Sequence, residues 1–286
     1  MACVELKIVA KRAGRLSSFL RGELKMSTGL MNRLKWGDAI RVNDAPQHTD
    51  YPVQPGDVIT VRLDEPSPEY PPQEGKLAIL YEDDHILAVD KPSGMLIHPS
   101  RSKNDGTLAN FVLGYYQKNG QNSAFHPVTR LDRDTFGVVL LAKNSHIHSL
   151  LQDTALQKIY HALTFGGPDH DHGIIDAPIA RRELPSLLRY ISPEGKPSVT
   201  EFAVLERGRV CKLALKPITG RTHQLRLHCC HRGFPILGDP QYNTEESRAY
   251  SDSLGLTGQL LCAYSLAFTH PITGELLTIT TKMDIK

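Results

Sequence analysis

The sequence has no run of about eighteen apolar residues, so no segment of it reads as a membrane span. Its opening, MACVELKIVAKRAG, lacks the long apolar core of a secretory signal. Cysteine is scarce. The five cysteines, Cys3, Cys211, Cys229, Cys230 and Cys262, are odd in number and have no C-x-x-C spacing. That argues against a disulfide frame or a zinc site and for reduced thiols in a cytoplasmic protein. There is no glycine-rich phosphate cradle, and no cofactor is expected. Thirteen histidines are present, yet the His/Asp cluster of His170, Asp171 and His172 falls in a Gly/Pro-rich loop. Adjacent side chains in an extended loop do not converge on one ion, so no metal is expected either. Net charge is only +2, which by itself implies no nucleic-acid partner.

The charge is unevenly distributed. From Lys7 to Arg41 nine Lys and Arg face two acids, Glu23 and Asp38; from Asp64 to Gly75 there are four acids, four prolines and no basic residue. A chain of 286 residues can form one large domain and a small one. These composition shifts divide it into a small basic unit at 1–63, an acidic Pro-rich linker at 64–75 and a large domain at 76–286. In the small unit, 16–24 and 30–35 read as short helices, with Ser27 and Thr28 as caps for the second. A strand in WGDAIRVNDAP and a closing strand in YPVQPGDVITVRL follow. The prolines predict a semi-stiff spacer that lets the basic unit tilt over the large domain without tight packing.

In the large domain the pattern predicts strands at 86–89, 138–142, 158–166 and 210–217, helices at 107–116 and 146–157, and two strands in the tail joined by a Pro/Gly turn. TGRTHQLRLHCCHRGF is expected to be a helix capped by Thr222 and ended by Gly233. An extended segment, with Leu225, Leu227 and Cys229 alternating against Arg226 and His228, is the other reading. The polar centre of the chain is HPVTRLDRDTFGVVLLAKN, which sets Arg130, Asp132, Arg133 and Asp134 just ahead of the apolar strand. A rigid strand feeding a charged loop is a common way to hold a reactive carboxylate; a solvated ion-pair loop has the same composition. Lys91, in a K-P-S-G turn, is either phosphate-binding or structural. Arg221, His223, Arg226 and His228 either build a site or coat a basic groove.

RLDRDT followed by glycine resembles the RLD motif of the RluA-type pseudouridine synthases. K-x-Y-x-A at Lys158 to Ala162, G-R-T-H-Q-x-R-x-H, G-D-P-x-Y and H-P-x-T-G-E-x-L resemble further motifs of that family, so the likeness spans residues 76 to 281. The chain departs from the family at Thr129, where a His is usual, and at Phe136, where a Ser is usual. The resemblance implies an α+β fold, with a large mixed, mostly antiparallel sheet flanked by helices and preceded by a small α+β RNA-binding domain. It implies an enzyme that isomerises uridine to pseudouridine in RNA without a cofactor. On this resemblance Asp132 is catalytic, as nucleophile on the sugar, nucleophile on the ring, or base toward the sugar. Arg226 is its basic partner, and its removal should damage catalysis more than folding. Tyr160 stacks on the target base, Arg130 fills the space that the flipped base vacates, and Arg221, His223 and Gln224 meet the substrate.

The front unit resembles the S-four-like RNA-binding domain through Arg15, Leu16, Phe19, Leu20, Val42, Asn43, Gly56, Asp57 and Ile59, departing from it at Ser17 and Thr28. Lys7, Lys11, Arg12 and Arg15 are then expected to meet phosphates. The expected partner is RNA, large-subunit ribosomal RNA ahead of transfer RNA. Two readings from other classes stand beside this one: a non-catalytic RNA-binding or ribosome-assembly protein on the same scaffold, and a metal-dependent hydrolase using the histidines.

Overall fold

The computed structural model describes residues 2–67, 69–100, 103–121, 123–182 and 188–285. Pro68 of the Pro-rich stretch and 183–187 of the 167–188 loop fall outside the described residues. The front of the chain comprises β1 (Ala2–Val9), β2 (Gly14–Arg15), α1 (Leu16–Gly22), α2 (Thr28–Leu34), β3 (Ile40–Val42), β4 (Ala45–Pro46), β5 (Pro52–Val53) and β6 (Val58–Glu65). A four-stranded antiparallel sheet runs β1-β6-β3-β4, and β2 pairs with β5. Leu6, Leu16, Phe19, Leu20, Met31, Ile40, Ile59 and Val61 close a core of their own. Ser27 caps α2 by accepting from the Leu30 N–H. The V-N and P-G-D pieces meet in space: Asn43 donates to Asp57 and accepts from the Val58 N–H. Two distant turns are thereby tied together, which accounts for their polar residues.

The remainder comprises β7 (Ile79–Glu82), β8 (Ile86–Lys91), α3 (Leu108–Lys118), β9 (His126–Pro127), β10 (Phe136–Ala142), α4 (Ser145–Gln152), β11 (Gln157–Phe165), β12 (His172–Asp176), β13 (Ile179–Arg181), β14 (Arg189–Ile191), β15 (Val199–Glu206), β16 (Val210–Pro217), α5 (Gln224–His231), α6 (Glu245–Ser253), β17 (Leu261–Thr269) and β18 (Leu276–Thr280). One large sheet runs β12-β15-β16-β11-β17-β10-β8-β7, with β18 beside β17 and β9 beside β10. Among the described strand pairs only β10 with β17 is parallel, over Phe136–Cys262 and Gly137–Ala263. The fold is thus α+β with a large, mostly antiparallel sheet.

β10 is apolar throughout because both of its faces are covered. Val138, Leu140 and Ala142 pack with Ile147 and Leu151 of α4. Val139 and Leu141 pack with Leu108, Val112 and Tyr116 of α3. Alternate side chains of a strand point to opposite faces, so a strand buried twice reads as a continuous hydrophobic run.

The linker is not a free spacer. Gln73 N–H donates to Asn110 O (2.9 Å), Asn110 Nδ2 donates to Pro71 O (2.9 Å), and Gln73 Oε1 accepts from the Gly106 N–H (2.8 Å). The extended chain lies along α3 because Asn110, in the capping box of that helix, presents a spare amide to it. The two units also touch directly. β6 continues to Glu65, whose carboxylate accepts from Ser145 N (2.8 Å) and Oγ (2.9 Å) and lies 2.6 Å from His126 Nε2. His146 Nε2 reaches Leu24 O at 2.7 Å. The expected loose tilt is therefore replaced by a polar joint.

Candidate active site

The loop from Thr129 to Thr135 enters β10 beside the parallel seam. Gly137 has φ +107°, and a Cβ there would overlap the Ala263 carbonyl. Only glycine lets β10 come this close to β17, and this crossing aims the loop into the cleft above β11 and β17. The two departures from the family motif are accommodated in the frame. Thr129 is buried and its hydroxyl accepts from the Leu140 N–H at 2.9 Å. Phe136 starts the seam opposite Cys262.

Lys91 holds the loop from below. Its side chain is fully buried, and Nζ donates to Pro92 O (3.0 Å), Met95 O (2.8 Å) and Arg133 O (2.8 Å). Burial pushes the ammonium down to about 8, with Asp134 and Asp132 pulling it back. It stays charged at neutral pH, and three carbonyls use its three protons. Of the two roles open for Lys91, the structure favours the structural one. Ser93 Oγ, in the same K-P-S-G turn, donates to Asp134 O (2.8 Å). Arg133, itself exposed, pairs with the mostly covered Asp134 carboxylate (2.9 Å), so these two charges satisfy each other at the edge of the loop.

Asp132 differs from them. It lines a cleft of about 350 Å³ together with Arg130, Lys158, Tyr160, Arg221, His223 and Arg226. Its side chain is 32% exposed, enough for a ligand to reach while the protein contacts the rest. Arg226 Nη1 donates to Asp132 Oδ2 at 3.1 Å. Arg226 is itself held by a fork: Nε donates to Asp239 Oδ2 (2.7 Å) and Nη2 to Asp239 Oδ1 (2.8 Å), with Gln241 Oε1 at 3.1 Å from Nη2. The Asp239 side chain is fully buried. Burial alone would lower the guanidinium, but Asp239 and Asp132 outweigh it and raise it further above its ordinary value. A buried bidentate pair fixes the position of Arg226, and its remaining nitrogen presents a fixed cation to Asp132.

α5 carries Arg226, as expected of a helix, but Thr222 does not cap it. The N-cap is His223, in the left-handed region at φ 57°, with no side-chain cap bond. A non-glycine residue here is uncommon and clusters at functional sites. Tyr242 Oη accepts from the Arg189 N–H (3.0 Å) and lies 3.0 Å from His223 Nδ1. His223 Nε2 lies 3.9 Å from Asp132 Oδ2. Burial lowers the His223 pKa, against the opposing pull of Asp132. The imidazole lines the cleft beside Asp132.

Gln224 lines the cleft as expected of a site residue, but its amide is spent inside the protein. It is 4% exposed; Oε1 accepts from Arg221 N and Thr219 Oγ1, and Nε2 donates to Val199 O and Thr200 Oγ1. With both ends of the amide spent inside the protein, it shapes the loop that presents Arg221. Arg221 is exposed on the cleft wall with Nε 3.3 Å from Pro197 O. Arg130 is exposed at the mouth. Tyr160 packs against the apolar cluster under β11, and burial raises its phenol well above the ordinary range. Among the described residues no partner bonds its hydroxyl, which leaves it for a ligand in the cleft.

The sequence reading missed Asp239, Gln241 and Tyr242 as site residues, although G-D-P-x-Y was visible. The signal available was a carboxylate thirteen residues beyond a candidate arginine, but only folding shows that it turns back onto α5. Lys158 was also missed. It shares a strand face with Tyr160 and lines the cleft, and burial lowers its ammonium. Asp171, of the His/Asp cluster, instead pairs with Arg207 at 2.6 Å. Lys7, Lys11, Arg12 and Arg15 are all exposed on the front unit, away from this cleft's lining.

Comparison with known proteins points in one direction. The family model described as RNA pseudouridylate synthase matches residues 85–231. The Escherichia coli strain K12 protein named ribosomal large subunit pseudouridine synthase C is 36% identical over 297 residues, covering 97% of this chain and 92% of that protein. A Bacillus subtilis strain 168 protein named uncharacterized RNA pseudouridine synthase is 37% identical over 243 residues, covering 82% and 78%. The solved structure of human RNA pseudouridylate synthase domain containing 1 superposes with a TM-score of 0.61 at 28% identity, covering 74% of this chain and 86% of that one.

Proposed function

The chain belongs to the RNA pseudouridylate synthase family and is an enzyme that isomerises uridine to pseudouridine in RNA; from that premise we propose that Asp132 carries the reaction and that large-subunit ribosomal RNA is the substrate. The choice of RNA rests on the relative of that name, which matches nearly the whole chain. The carboxylate of Asp132 in the cleft, with Arg226 bonded to it, is the observation that supports the assignment of the catalytic residue. In the reaction the bond from ribose C1′ to uracil N1 breaks, the base turns, C1′ bonds to C5, C5 gives up its proton and N1 takes one up. Composition is unchanged, so no redox partner or group donor is required.

Each neighbour then has a task. Asp132 acts as nucleophile or base, with the Arg226 guanidinium bonded to it. The base is pulled out of its stack at a cost of a few kcal/mol. Tyr160 gives it a new aromatic face, worth about 1–3 kcal/mol. Arg130 takes the vacated space in the RNA, Arg221 meets the backbone, and His223 meets the uracil. The 1–63 unit acts as an RNA-binding domain, Lys7, Lys11, Arg12 and Arg15 meeting phosphates, and 76–286 is the catalytic domain. Work on ribosomal RNA with reduced thiols fits the cytoplasm.

Asp132→Asn keeps the shape and removes the charge. The full-length variant is expected to lose pseudouridine formation by a factor of at least about a thousand on large-subunit RNA transcripts, while RNA affinity stays within about twofold. Pseudouridine mapping in cells carrying only this variant should then show specific large-subunit sites reverting to uridine. Normal turnover by the variant rejects the catalytic assignment; sites reverting in transfer RNA instead reject the choice of substrate.

A further inference from the structure

Trp36 is the sole tryptophan of the chain and lies 77% exposed on the front unit. It follows α2, whose Met31 is buried and whose Leu30 and Leu34 pack against the core, so the helix meets its apolar needs without it. Tryptophan is enriched at interfaces, where a partner covers the ring and its N–H finds a bond. The neighbours indicate which partner. Lys35 Nζ lies 5.0 Å from the centre of the ring, and His48 meets it edge-on at 5.6 Å. Arg33, in the last turn of α2, is exposed nearby in the chain, and Asp38 is the acid closest in sequence. A cation, an imidazole and an exposed indole suit an aromatic base attached to a phosphate.

The position agrees. His48 begins the segment that returns to the basic edge: Thr49 O accepts from Ser17 N (2.7 Å), Tyr51 O from Leu16 N (2.9 Å), and Pro52 pairs with Arg15 in the β2–β5 ladder. The stack face and Arg15 are thus linked through five residues of backbone. An RNA strand held by phosphates at Arg12 and Arg15 has a ring to stack on farther along the same unit.

We propose that Trp36 is a stacking site for one unpaired base of the RNA, flanked by Lys35 and His48, outside the catalytic cleft. This rests on the reading that the front unit binds RNA. Unpaired bases splay onto aromatic rings in RNA recognition, with little dependence on base identity. The site adds affinity and sets how the RNA lies across the molecule; the chemistry stays at Asp132.

Because there is one tryptophan, its emission reports this site alone. The full-length protein is titrated with a hairpin RNA carrying single-stranded flanks, with the same RNA made abasic in its flanks, and with inorganic polyphosphate. The hairpin should quench the emission by about half or more, and the other two should not. Trp36→Ala should weaken hairpin binding roughly tenfold with an unchanged salt slope and unchanged turnover at saturating RNA, and Trp36→Phe should recover most of the affinity. Absence of quenching at saturation, or Trp36→Ala affinity within twofold of the parent, overturns the stacking site. A concentration-dependent emission shift without RNA also overturns it, in favour of a second copy of the chain on this face. The variant with Lys7, Lys11, Arg12 and Arg15 all changed to Gln separates the two readings. If its salt slope falls while Trp36 is silent, the front unit binds RNA and only the stack fails; if neither changes, both fail.

Discussion

Arg226 is the residue on which site and fold depend together. The sequence suggested a catalytic helper whose loss would harm turnover more than folding. The fork to Asp239 changes that expectation, because a fully buried carboxylate loses its partner when the guanidinium is removed. Breaking one side of a buried pair costs about 3–5 kcal/mol. Arg226→Ala should therefore lose about that much unfolding free energy in denaturant titration as well as its turnover. Arg226→Lys keeps a charge but not the fork, so it should lose less stability and still turn over at least tenfold slower. An Arg226→Ala protein as stable as the parent would show that Asp239 finds another partner. The same pair explains why Asp132 could be recognised from sequence and Asp239 could not. Asp132 announces itself in R-L-D, whereas Asp239 is meaningful only through a guanidinium to which the fold returns it.

At the scale of elements, two connections decide the geometry. The first is the K-P-S-G turn after β8, which supports the Asp132 loop through Lys91. Lys91→Met fills similar space and leaves the carbonyls of Pro92, Met95 and Arg133 without a donor. An orphaned carbonyl costs up to about 1–3 kcal/mol where water cannot reach it, and these bonds are part-buried, so the variant should melt below the parent. Its turnover should fall although Asp132 and Arg226 are intact. Parent-like activity in that variant would mean the loop holds itself. The second is the joint at the end of β6. Burial raises the Glu65 carboxyl, but the bonds from His126 and Ser145 outweigh burial and hold it below its ordinary 4.5. A folded value below the unfolded one contributes stability that is complete above about pH 4.5 and fades as acid carries the group through its folded value. The stability gap between parent and Glu65→Gln should thus be full at pH 6 and shrink toward pH 3. A gap that does not change with pH would mean that Glu65 acts by shape and not by charge.

For the whole molecule, the joint and the seated linker make one body of two cores. The charge on the front unit then has a set relation to the cleft, which a free spacer would not provide. This matters for an enzyme that must select particular uridines, since phosphate contacts position a strand but carry no sequence information. Among the described residues no helix is long and apolar enough to cross a membrane. The large sheet carries the cleft at its parallel seam, where β10 and β17 diverge and side chains from β11, α5 and the Asp132 loop reach a common space.

Local pattern was enough to read much of this. The doubly covered β10 showed as an unbroken apolar run, the Ser27 cap showed beside its helix, and R-L-D, K-x-Y-x-A and G-R-T-H-Q-x-R marked the cleft residues, because each is a short-range signal or a fixed motif. What depended on residues far apart in the chain was not legible: the fork from Arg226 to Asp239, the return of Tyr242 to His223, the inward turn of Gln224, and the contact of Glu65 with Ser145. Side-chain hydrogen bonds across tens of residues have no period and no spacing. Which donor meets which acceptor was decided only when the sheet fixed where each loop ends.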